Sequence, residues 1–284
     1  MNRRQFLVGA AIGTAFLPLA TFGAPSTYTT FAELERRSGG RLGVFAHDLE
    51  TGRRLVHRPS ERFLMCSTFK LLAVAAVLNR VDKGSECLDR RIYYGRDVLL
   101  SHAPVTSLHA DGEGMTVGQL CDAAITVSDN TAGNLLLQAI GGPDGFNVTM
   151  RAFGDTATRL DRTEPKLNIA SGVLDTTTPE AMGQVAGRLL SGGLLMPTSV
   201  AKLSDWLRAA TPGLTMLRAG FPAEADAGDK AGRGTGGQNN DIAIVWKQGK
   251  KPLLVAAYYV NSDMDDGQRN AVLAEVGRVV AARM

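Results

Sequence analysis

The stretch Met65-Cys-Ser-Thr-Phe-Lys70 places a serine and a lysine three residues apart, directly before the run Leu71-Leu-Ala-Val-Ala-Ala-Val-Leu78. A run that is apolar on every face is typical of a buried helix. Side chains at i and i+3 of a helix share one face with Cβ atoms about 5–6 Å apart, so the Lys70 amine can reach the Ser67 hydroxyl. A serine beside a base is a nucleophile, and we therefore predict that this stretch organises both fold and chemistry.

The lysine can act as a base only if its environment lowers its pKa. An ordinary lysine, with a pKa of about 10.4, is protonated at neutral pH, and burial or a cationic neighbour lowers that value. A helix start also directs N–H groups and the positive end of its dipole toward the group under attack. Because this serine–lysine spacing also occurs on many surface helices, the motif alone leaves a purely structural role open.

Composition limits the classes of protein to consider. The chain has 284 residues, is 44% hydrophobic and 21% charged, and carries a net charge of +3, which fits one large or two small globular domains. Its basic residues form no run near aromatics, so nucleic acid is not an expected partner. No metal or other cofactor is expected, since H-x-H and H-E-x-x-H spacings are absent among the four histidines His47, His57, His102 and His109.

The N-terminus has the pattern of an export signal. Residues 2–7, Asn-Arg-Arg-Gln-Phe-Leu, precede an apolar segment and then small residues up to Ala24, so we predict a cleaved signal over residues 1–24 and a periplasmic or secreted protein. The pair Arg3 and Arg4 resembles a twin-arginine signal, and a plain secretory signal is the alternative. The apolar run is too short to span a bilayer well, so no stable membrane anchor is expected.

The order of helical and strand patterns predicts two units. A capping box, Thr30-Phe-Ala-Glu33, opens a helix, and two short strands follow. Strand patterns return from Gly228, at 229–232, 241–247 and 251–260, before an amphipathic helix over about 266–283. Strands at both ends of a helical middle predict a discontinuous α/β domain, residues 26–57 and 210–284, with an all-helical domain over 58–209 inserted in it. A ligand site is expected in the cleft between them.

Three further motifs contain residue types that occur in active sites. Ser128-Asp-Asn130 lies in a polar gap between two helical patterns, where a helix N-cap is the ordinary role. Glu164-Pro-Lys-Leu-Asn168 lies in a long connection whose ends, Arg162 and Asp175, can clamp it as an ion pair. The Glu-Pro bond in such a loop is a candidate for the cis form, and an isolated glutamate there is ordinarily a surface charge.

The third motif, Lys230-Ala-Gly232, continues as Arg233-Gly-Thr-Gly-Gly237, which fits G-x-G-x-x-G. A dinucleotide-binding fingerprint opens a helix, whereas a strand pattern, Asn240 to Trp246, follows here. The glycines are therefore interpreted as letting a strand edge approach a ligand closely.

Taken together, S-x-x-K, S-D-N, E-P-x-L-N and K-x-G, in this order and at these separations, resemble the class A serine β-lactamases of the penicillin-recognising enzymes. The resemblance runs from about Phe31 to the C-terminus. It implies an α/β fold in which an antiparallel sheet is flanked by N- and C-terminal helices and an all-helical domain is inserted. It also implies a monomeric hydrolase whose substrates are small β-lactams.

The resemblance also implies catalytic roles. Ser67 would attack the lactam carbonyl and form an acyl-enzyme, and Ser128 would pass a proton to the departing lactam nitrogen. Glu164, with Asn168, would hold and deprotonate the water that releases the product. Whether Lys70 or Glu164 is the base for acylation stays open.

Substrate-binding roles follow from the same resemblance. Asn130 would bind the substrate's side-chain amide, and Lys230 would face its carboxylate next to Gly232. The N–H groups of Ser67 and Arg233 would form an oxyanion hole, in which one donor is worth about 2.7–4 kcal/mol in comparable sites.

The chain departs from the family pattern where the substrate carboxylate would bind. Ala231 stands where a Thr or Ser is usual, and losing one such hydrogen bond costs about 0.5–1.5 kcal/mol, or more against a charged group, which should raise KM. The arginines that other members place nearby correspond here to Asn239 and Met216. Our hypothesis is that Arg233 or Arg269 substitutes for them.

Two other positions differ from particular members. His102 stands where a gatekeeping aromatic residue is usual, and a plain exposed loop residue is the alternative. Cys66 resembles the cysteine of a carbapenemase subgroup, but the partner position is Gly234, so that disulfide cannot form. We expect no disulfide among Cys66, Cys87 and Cys121.

Two related functions remain as alternatives. A cell-wall D,D-peptidase shares the acylating motifs but lacks a deacylating glutamate at the position of Glu164. A non-enzymatic β-lactam receptor would normally be tethered to a membrane-spanning helix, and the sequence has no second apolar run of about 20 residues. An α/β-hydrolase esterase is disfavoured because G-x-S-x-G is absent.

Overall fold

The computed structural model describes residues 30–284, and the predicted export signal lies outside these residues. Its main sheet has the strand order β2-β1-β9-β8-β7, and every neighbouring pair is antiparallel. The five strands are β1 (Arg41–Asp48), β2 (Arg54–His57), β7 (Asp226–Arg233), β8 (Gln238–Trp246) and β9 (Leu253–Val260). Two short pairs lie outside it: β3 (Phe63–Leu64) with β6 (Thr176–Thr177), and β4 (Arg91–Ile92) with β5 (Met115–Thr116).

Eight α-helices occur in the described part of the chain. They are α1 (Phe31–Ser38), α2 (Phe69–Asp82), α3 (Val117–Thr126), α4 (Asn130–Ala139), α5 (Gly142–Ala152), α6 (Pro179–Leu190), α7 (Pro197–Ala209) and α8 (Asp266–Ala281). Within residues 30–284, none is both long and apolar enough to cross a bilayer.

Helix α2 is the centre of the larger hydrophobic core. Every side chain from Phe69 to Leu78 is buried, which confirms the prediction from the uninterrupted apolar run. The same cluster includes residues of α3, α4, α6 and α7 together with one face of the sheet, through Ile242, Ile244 and Tyr258. Because the sheet and the helices share this core, the division into two domains stays a prediction.

The other face of the sheet is covered by the two ends of the described chain. Helices α1 and α8 pack there in a second cluster with residues such as Val44 and Tyr259. On the α2 side, α6 lies so close that a Cβ added at Gly183 would be 2.3 Å from the Phe45 ring. The predicted fold class, an antiparallel sheet flanked by terminal helices with helices inserted between its strands, is therefore confirmed.

Strand β7 is the edge of the sheet and carries the K-x-G motif. It packs against the short 3-10 turn Cys66–Thr68, which precedes α2. The following strand begins at Gln238, three residues before the predicted start at Asp241. The prediction was wrong because Gln238, Asn239 and Asn240 have the polarity of a loop, whereas the structure buries all three in the ladder.

Candidate active site

Ser67 lies in the 3-10 turn Cys66–Thr68, so it precedes α2 and is not part of that helix. Cys66 adopts a left-handed backbone conformation with φ of 48°. The Thr68 hydroxyl donates to the Met65 carbonyl at 2.8 Å. The turn therefore holds the Ser67 side chain at the N-terminal end of α2, as the sequence predicted, although in a tighter helical form.

The Lys70 side chain is fully buried among hydrogen-bond acceptors. Its Nζ lies 3.1 Å from Ser67 Oγ, 2.6 Å from Asn130 Oδ1, 2.8 Å from the Ser128 carbonyl oxygen and 3.4 Å from Glu164 Oε1. Burial lowers the pKa of Lys70, and the Glu164 carboxylate opposes that shift only in part. The structure thus places beside Ser67 an amine that gives up its proton more readily than an ordinary lysine.

The S-D-N motif has two roles: its middle residue caps a helix, and its two outer residues contact Lys70. Asp129 is the N-cap of α4 and accepts from the Ala132 N–H at 2.9 Å. Ser128 has a φ of 61°, and its Oγ lies 3.4 Å from Lys70 Nζ. The cap predicted for this gap is therefore present, and its two neighbours, Ser128 and Asn130, both contact the lysine.

The connection that carries Glu164 is clamped at its ends. Arg162 Nε lies 2.5 Å from Asp175 Oδ2, and the Glu164–Pro165 peptide is cis. Glu164 Oε1 lies 3.3 Å from Ser67 Oγ, and Asn168 Nδ2 donates to the other carboxylate oxygen. These contacts confirm the predicted ion pair and bring the glutamate to the serine.

Asn134 also positions this loop, and sequence reasoning missed it. Its Nδ2 donates to the Glu164 carbonyl at 3.0 Å, and its Oδ1 accepts from the Glu164 N–H at 3.0 Å. The available signal was its spacing of four residues from Asn130, which puts both on one face of α4.

A second lysine approaches Ser128 from the sheet. Lys230 is fully buried, and its Nζ lies 3.0 Å from Ser128 Oγ and 2.7 Å from the Ala231 carbonyl oxygen. Burial, reinforced by the positive charge of Lys70, lowers the pKa of Lys230 to about 7. Ser128 Oγ therefore lies within 3.4 Å of two amines, those of Lys70 and Lys230, and the pKa values of both are lowered.

Two buried carboxyl groups lie beneath Lys230. Burial raises the pKa values of Asp229 and Asp241. The negative charge of Asp229 raises the pKa of Asp241 further, whereas the positive charge of Arg218 opposes the rise at Asp229. Arg218 Nη1 lies 3.3 Å from Asp229 Oδ1, whereas Asp229 Oδ2 and Asp241 Oδ1 have no partner among the described residues. Both carboxylates lie close enough to Lys230 for their negative charges to favour its protonated form.

Gly232 permits the close approach of β7 to the nucleophile turn. A Cβ at this position would lie 2.9 Å from the backbone nitrogens of both Ser67 and Thr68. The G-x-G-x-x-G match belongs to a hairpin between β7 and β8, not to a strand followed by a helix. The glycines thus belong to a strand edge, as predicted, and the close approach of a ligand to that edge stays a prediction.

These motifs meet at a cavity of about 580 Å³. It is lined by Ser67, His102, Pro104, Val127, Ser128, Asn130, Asn168, Thr211, Pro212, Ala231, Gly232 and Arg233. His102 is exposed at this cavity, with Nε2 3.0 Å from the Val127 carbonyl oxygen. It is thus an exposed loop residue that also lines the cavity, and a gatekeeping role stays a prediction.

The two candidate arginines differ in their surroundings. Arg269 is buried, and its guanidinium donates to Asn239 Oδ1 at 2.8 Å, to the Asn261 carbonyl at 3.0 Å and to Asp266. Arg233 lines the cavity and has one described hydrogen bond, from Nη2 to the Pro212 carbonyl at 3.2 Å. Only Arg233 is therefore available to a molecule in the cavity.

The cysteines take no part in this arrangement. All three are free, and burial raises the pKa values of the Cys66 and Cys121 thiols. A Cβ at Gly234 would lie 2.9 Å from Cys66 Sγ. Over residues 30–284, no group of three or more His, Cys, Asp or Glu side chains could hold a metal ion.

The fold and the serine–lysine site together define a serine hydrolase. A sequence model described as the beta-lactamase enzyme family matches residues 26–284. The β-lactamase AST-1 of Nocardia asteroides is 46% identical over 252 residues, which cover 88% of this chain and 81% of the relative. FAR-1 of Nocardia farcinica is 44% identical over 256 residues, with coverage of 89% and 82%.

Solved structures agree. A class A β-lactamase described as the last common ancestor of Gram-negative bacteria has 55% identity and a TM-score of 0.86, over 88% of this chain and 96% of that one. A β-lactamase from Burkholderia vietnamiensis has 47% identity and a TM-score of 0.86, with coverage of 88% and 93%. The chain belongs to the β-lactamase enzyme family and is a class A serine β-lactamase.

The lowered pKa of Lys230 predicts a pH dependence of substrate binding. In the free enzyme this amine is charged below about pH 7 and neutral above it. Because β-lactam substrates are expected to bring a carboxylate to it, KM should rise as pH increases through 7. A guanidinium keeps its charge over this range, so the Lys230→Arg variant should show a nearly constant KM between pH 6 and about 9. Steady-state kinetics would measure this, and a wild-type KM independent of pH would contradict it.

Proposed function

We propose that the enzyme opens the β-lactam ring through a covalent Ser67 ester, which a water activated by Glu164 then hydrolyses. One observation carries the proposal: Ser67 Oγ lies 3.1 Å from Lys70 Nζ and 3.3 Å from Glu164 Oε1. A nucleophile within hydrogen-bond reach of a base is the geometry that covalent catalysis requires. Two candidate bases, Lys70 and Glu164, lie at about this distance from Ser67 Oγ.

Acylation needs removal of the Ser67 proton as Oγ attacks the lactam carbonyl. The lowered pKa of Lys70 favours direct transfer to its amine when it is neutral. Glu164 is the second candidate, since its carboxylate contacts both Ser67 Oγ and Lys70 Nζ. The N–H groups of Ser67 and Arg233 would stabilise the developing oxyanion.

The departing lactam nitrogen needs a proton, and Ser128 is the residue we assign to supply it. Its Oγ lies between Lys70 Nζ at 3.4 Å and Lys230 Nζ at 3.0 Å. A hydroxyl can donate to the nitrogen and be reprotonated by an adjacent ammonium. The proton taken from Ser67 can thus travel through Lys70 to the leaving group.

Deacylation requires a water held on Glu164 near the ester carbonyl. Glu164 is fixed at its carboxylate by Asn168 and at its backbone by Asn134. The Arg162–Asp175 ion pair then closes the loop behind it. Such double anchoring keeps a general base within the narrow distance that proton transfer demands.

Replacing the proposed base separates the two half-reactions. Glu164→Gln keeps the size of the side chain and the Asn168 contact but cannot accept the water proton, so the enzyme should acylate and then accumulate a penicilloyl adduct. Intact-mass measurement after mixing with a penicillin would detect the adduct. The exposed Glu224→Gln variant is the control and should return to free mass as fast as wild type.

The same measurement on the wild-type protein distinguishes a lactamase from a D,D-peptidase or a receptor, because an adduct that persists for hours identifies the latter two. If Glu164→Gln turned penicillin over at the wild-type rate, the assignment of Glu164 as the water-activating base would be wrong.

We also propose that Lys230 and Arg233 together bind the substrate carboxylate. Ala231 lacks the hydroxyl that relatives use there, and the Arg233 guanidinium is at the same cavity wall. Arg233 lines the cavity and Lys230 is buried behind it, with Nζ 3.0 Å from the lining residue Ser128, so the two cations would together attract the carboxylate and orient the lactam carbonyl toward Ser67.

Removing the Arg233 guanidinium should therefore weaken binding more than turnover. A hydrogen bond to a charged group is worth about 1.5–3 kcal/mol, so Arg233→Ala should raise KM about tenfold to a hundredfold with a smaller change in kcat. Ala231→Thr in the same background should recover part of that loss by restoring a hydroxyl. Arg53→Ala, at an exposed turn, is the control. An unchanged KM in Arg233→Ala would exclude this role.

A further inference from the structure

A second cavity, of about 480 Å³, lies at the base of the loop that carries Glu164. Its wall is formed by residues 60 and 62, by the segment 153–157 after α5, and by residues from the start of α6 to Arg188 in its last turn. None of its lining residues lines the Ser67 cavity. Its charged side chains are Arg62, Asp155, Glu180 and Arg188.

Two arginines are held at this cavity by backbone carbonyls. Arg62 Nη1 donates to the Ala157 carbonyl at 2.8 Å and to Thr176 Oγ1 at 3.0 Å. Arg188 Nη1 donates to the Phe153 carbonyl. Their Nη2 groups have no hydrogen bond to any residue in the described range 30–284. Each guanidinium is thus fixed at one nitrogen and has donors to spare, which is the arrangement that binds carboxylates well.

Two carboxylates line the same cavity, and one of them, Glu180, has a spare acceptor that a ligand can reach. Asp155 is 4% exposed, and its Oδ1 accepts from the N–H groups of Ala157 and Thr158 at 2.8 and 2.9 Å. Its Oδ2 has no hydrogen-bond partner among residues 30–284 and is itself closed off from the cavity, so Asp155 contributes negative charge and not a direct contact. Glu180 Oε1 accepts from Gln184 at 3.1 Å, and its Oε2 has no described donor.

The balance of charge decides what kind of ligand fits. A ligand of one sign would gain two partners and be repelled by the other two charged residues. A molecule that carries both an ammonium and a carboxylate can contact both arginines and Glu180, and it is also attracted by the buried charge of Asp155. The volume lies within the range of cavities that bind small ligands, which accommodates an amino acid or a dipeptide.

We propose that this cavity binds a small zwitterion of the size of an amino acid or dipeptide. Its carboxylate lies against Arg62 and Arg188, and its ammonium lies against Glu180, with the buried charge of Asp155 behind the cavity wall. The site is separate from the β-lactam site and does not depend on the proposed hydrolytic mechanism.

Binding of L-alanyl-L-alanine to the full wild-type protein tests this proposal. Backbone NMR shifts should change and saturate at residues 153–157 and 178–188, with no change at the residues that line the Ser67 cavity. N-acetylation removes the ammonium, and C-terminal amidation removes the carboxylate. Each modification should weaken binding by about tenfold to a hundredfold, the value of a charged hydrogen bond.

Two variants test the contacts. Arg188→Ala and Glu180→Gln change exposed or partly exposed side chains of α6 and should each weaken dipeptide binding by about tenfold or more. Arg53→Ala, far along the chain at an exposed turn, should bind as wild type does. Arg62 and Asp155 are left intact because each makes two hydrogen bonds at the cavity wall, whereas Arg188 makes one.

Three results would overturn the proposal. The first is the absence of saturable shifts with the dipeptide. The second is equal binding of the N-acetyl derivative or of inorganic phosphate, which would identify a site for anions only. The third is a saturable response confined to the Ser67 cavity.

Discussion

The burial of the Lys70 amine against Ser67 is the constraint on which the site depends. An amine in a hydrophobic core is costly unless hydrogen-bond acceptors surround it. Here they come from two other segments of the chain, through Ser128 and Asn130 in one and Glu164 in the other. The requirement to solvate one buried nitrogen therefore brings together the S-x-x-K, S-D-N and Glu164 motifs.

The fourth motif, K-x-G, lies on the edge strand β7, which places it beside the other three. Gly232 lets β7 approach the nucleophile turn, and Lys230 then reaches Ser128 from the opposite side to Lys70. Burial and the positive charge of Lys70 lower the pKa of Lys230, and burial raises the pKa values of Asp229 and Asp241. The charges around Ser128 are thus set by burial as much as by ion pairing.

Much of this could be predicted from sequence because it depends on local patterns. The apolar run of α2 and the ion pair at the ends of the Glu164 loop are readable from residue types and spacing. The early start of β8 was not, because the Asn240 side chain is held there by groups distant in sequence: its Nδ2 donates to the Leu64 and Met65 carbonyls. The choice between Arg233 and Arg269 likewise needed tertiary contacts.

Asn134 illustrates the same limit. Its side chain holds the backbone of a residue thirty positions later, and no local pattern in α4 identifies that partner. By contrast, the cap residue Asp129 and the catalytic candidate Ser128 were both visible in one tripeptide. Sequence motifs therefore locate the reacting groups more readily than the residues that position them.

The central claim is that the Lys70 amine beside Ser67 is a weaker base than an ordinary lysine and can be neutral during acylation. An NMR titration of the enzyme with isotope-labelled lysine side chains, with Lys70→Arg used to assign the signal, measures this directly. We predict that Lys70 Nζ titrates below the ordinary lysine value of about 10.4. Titration at or above that value would contradict the account.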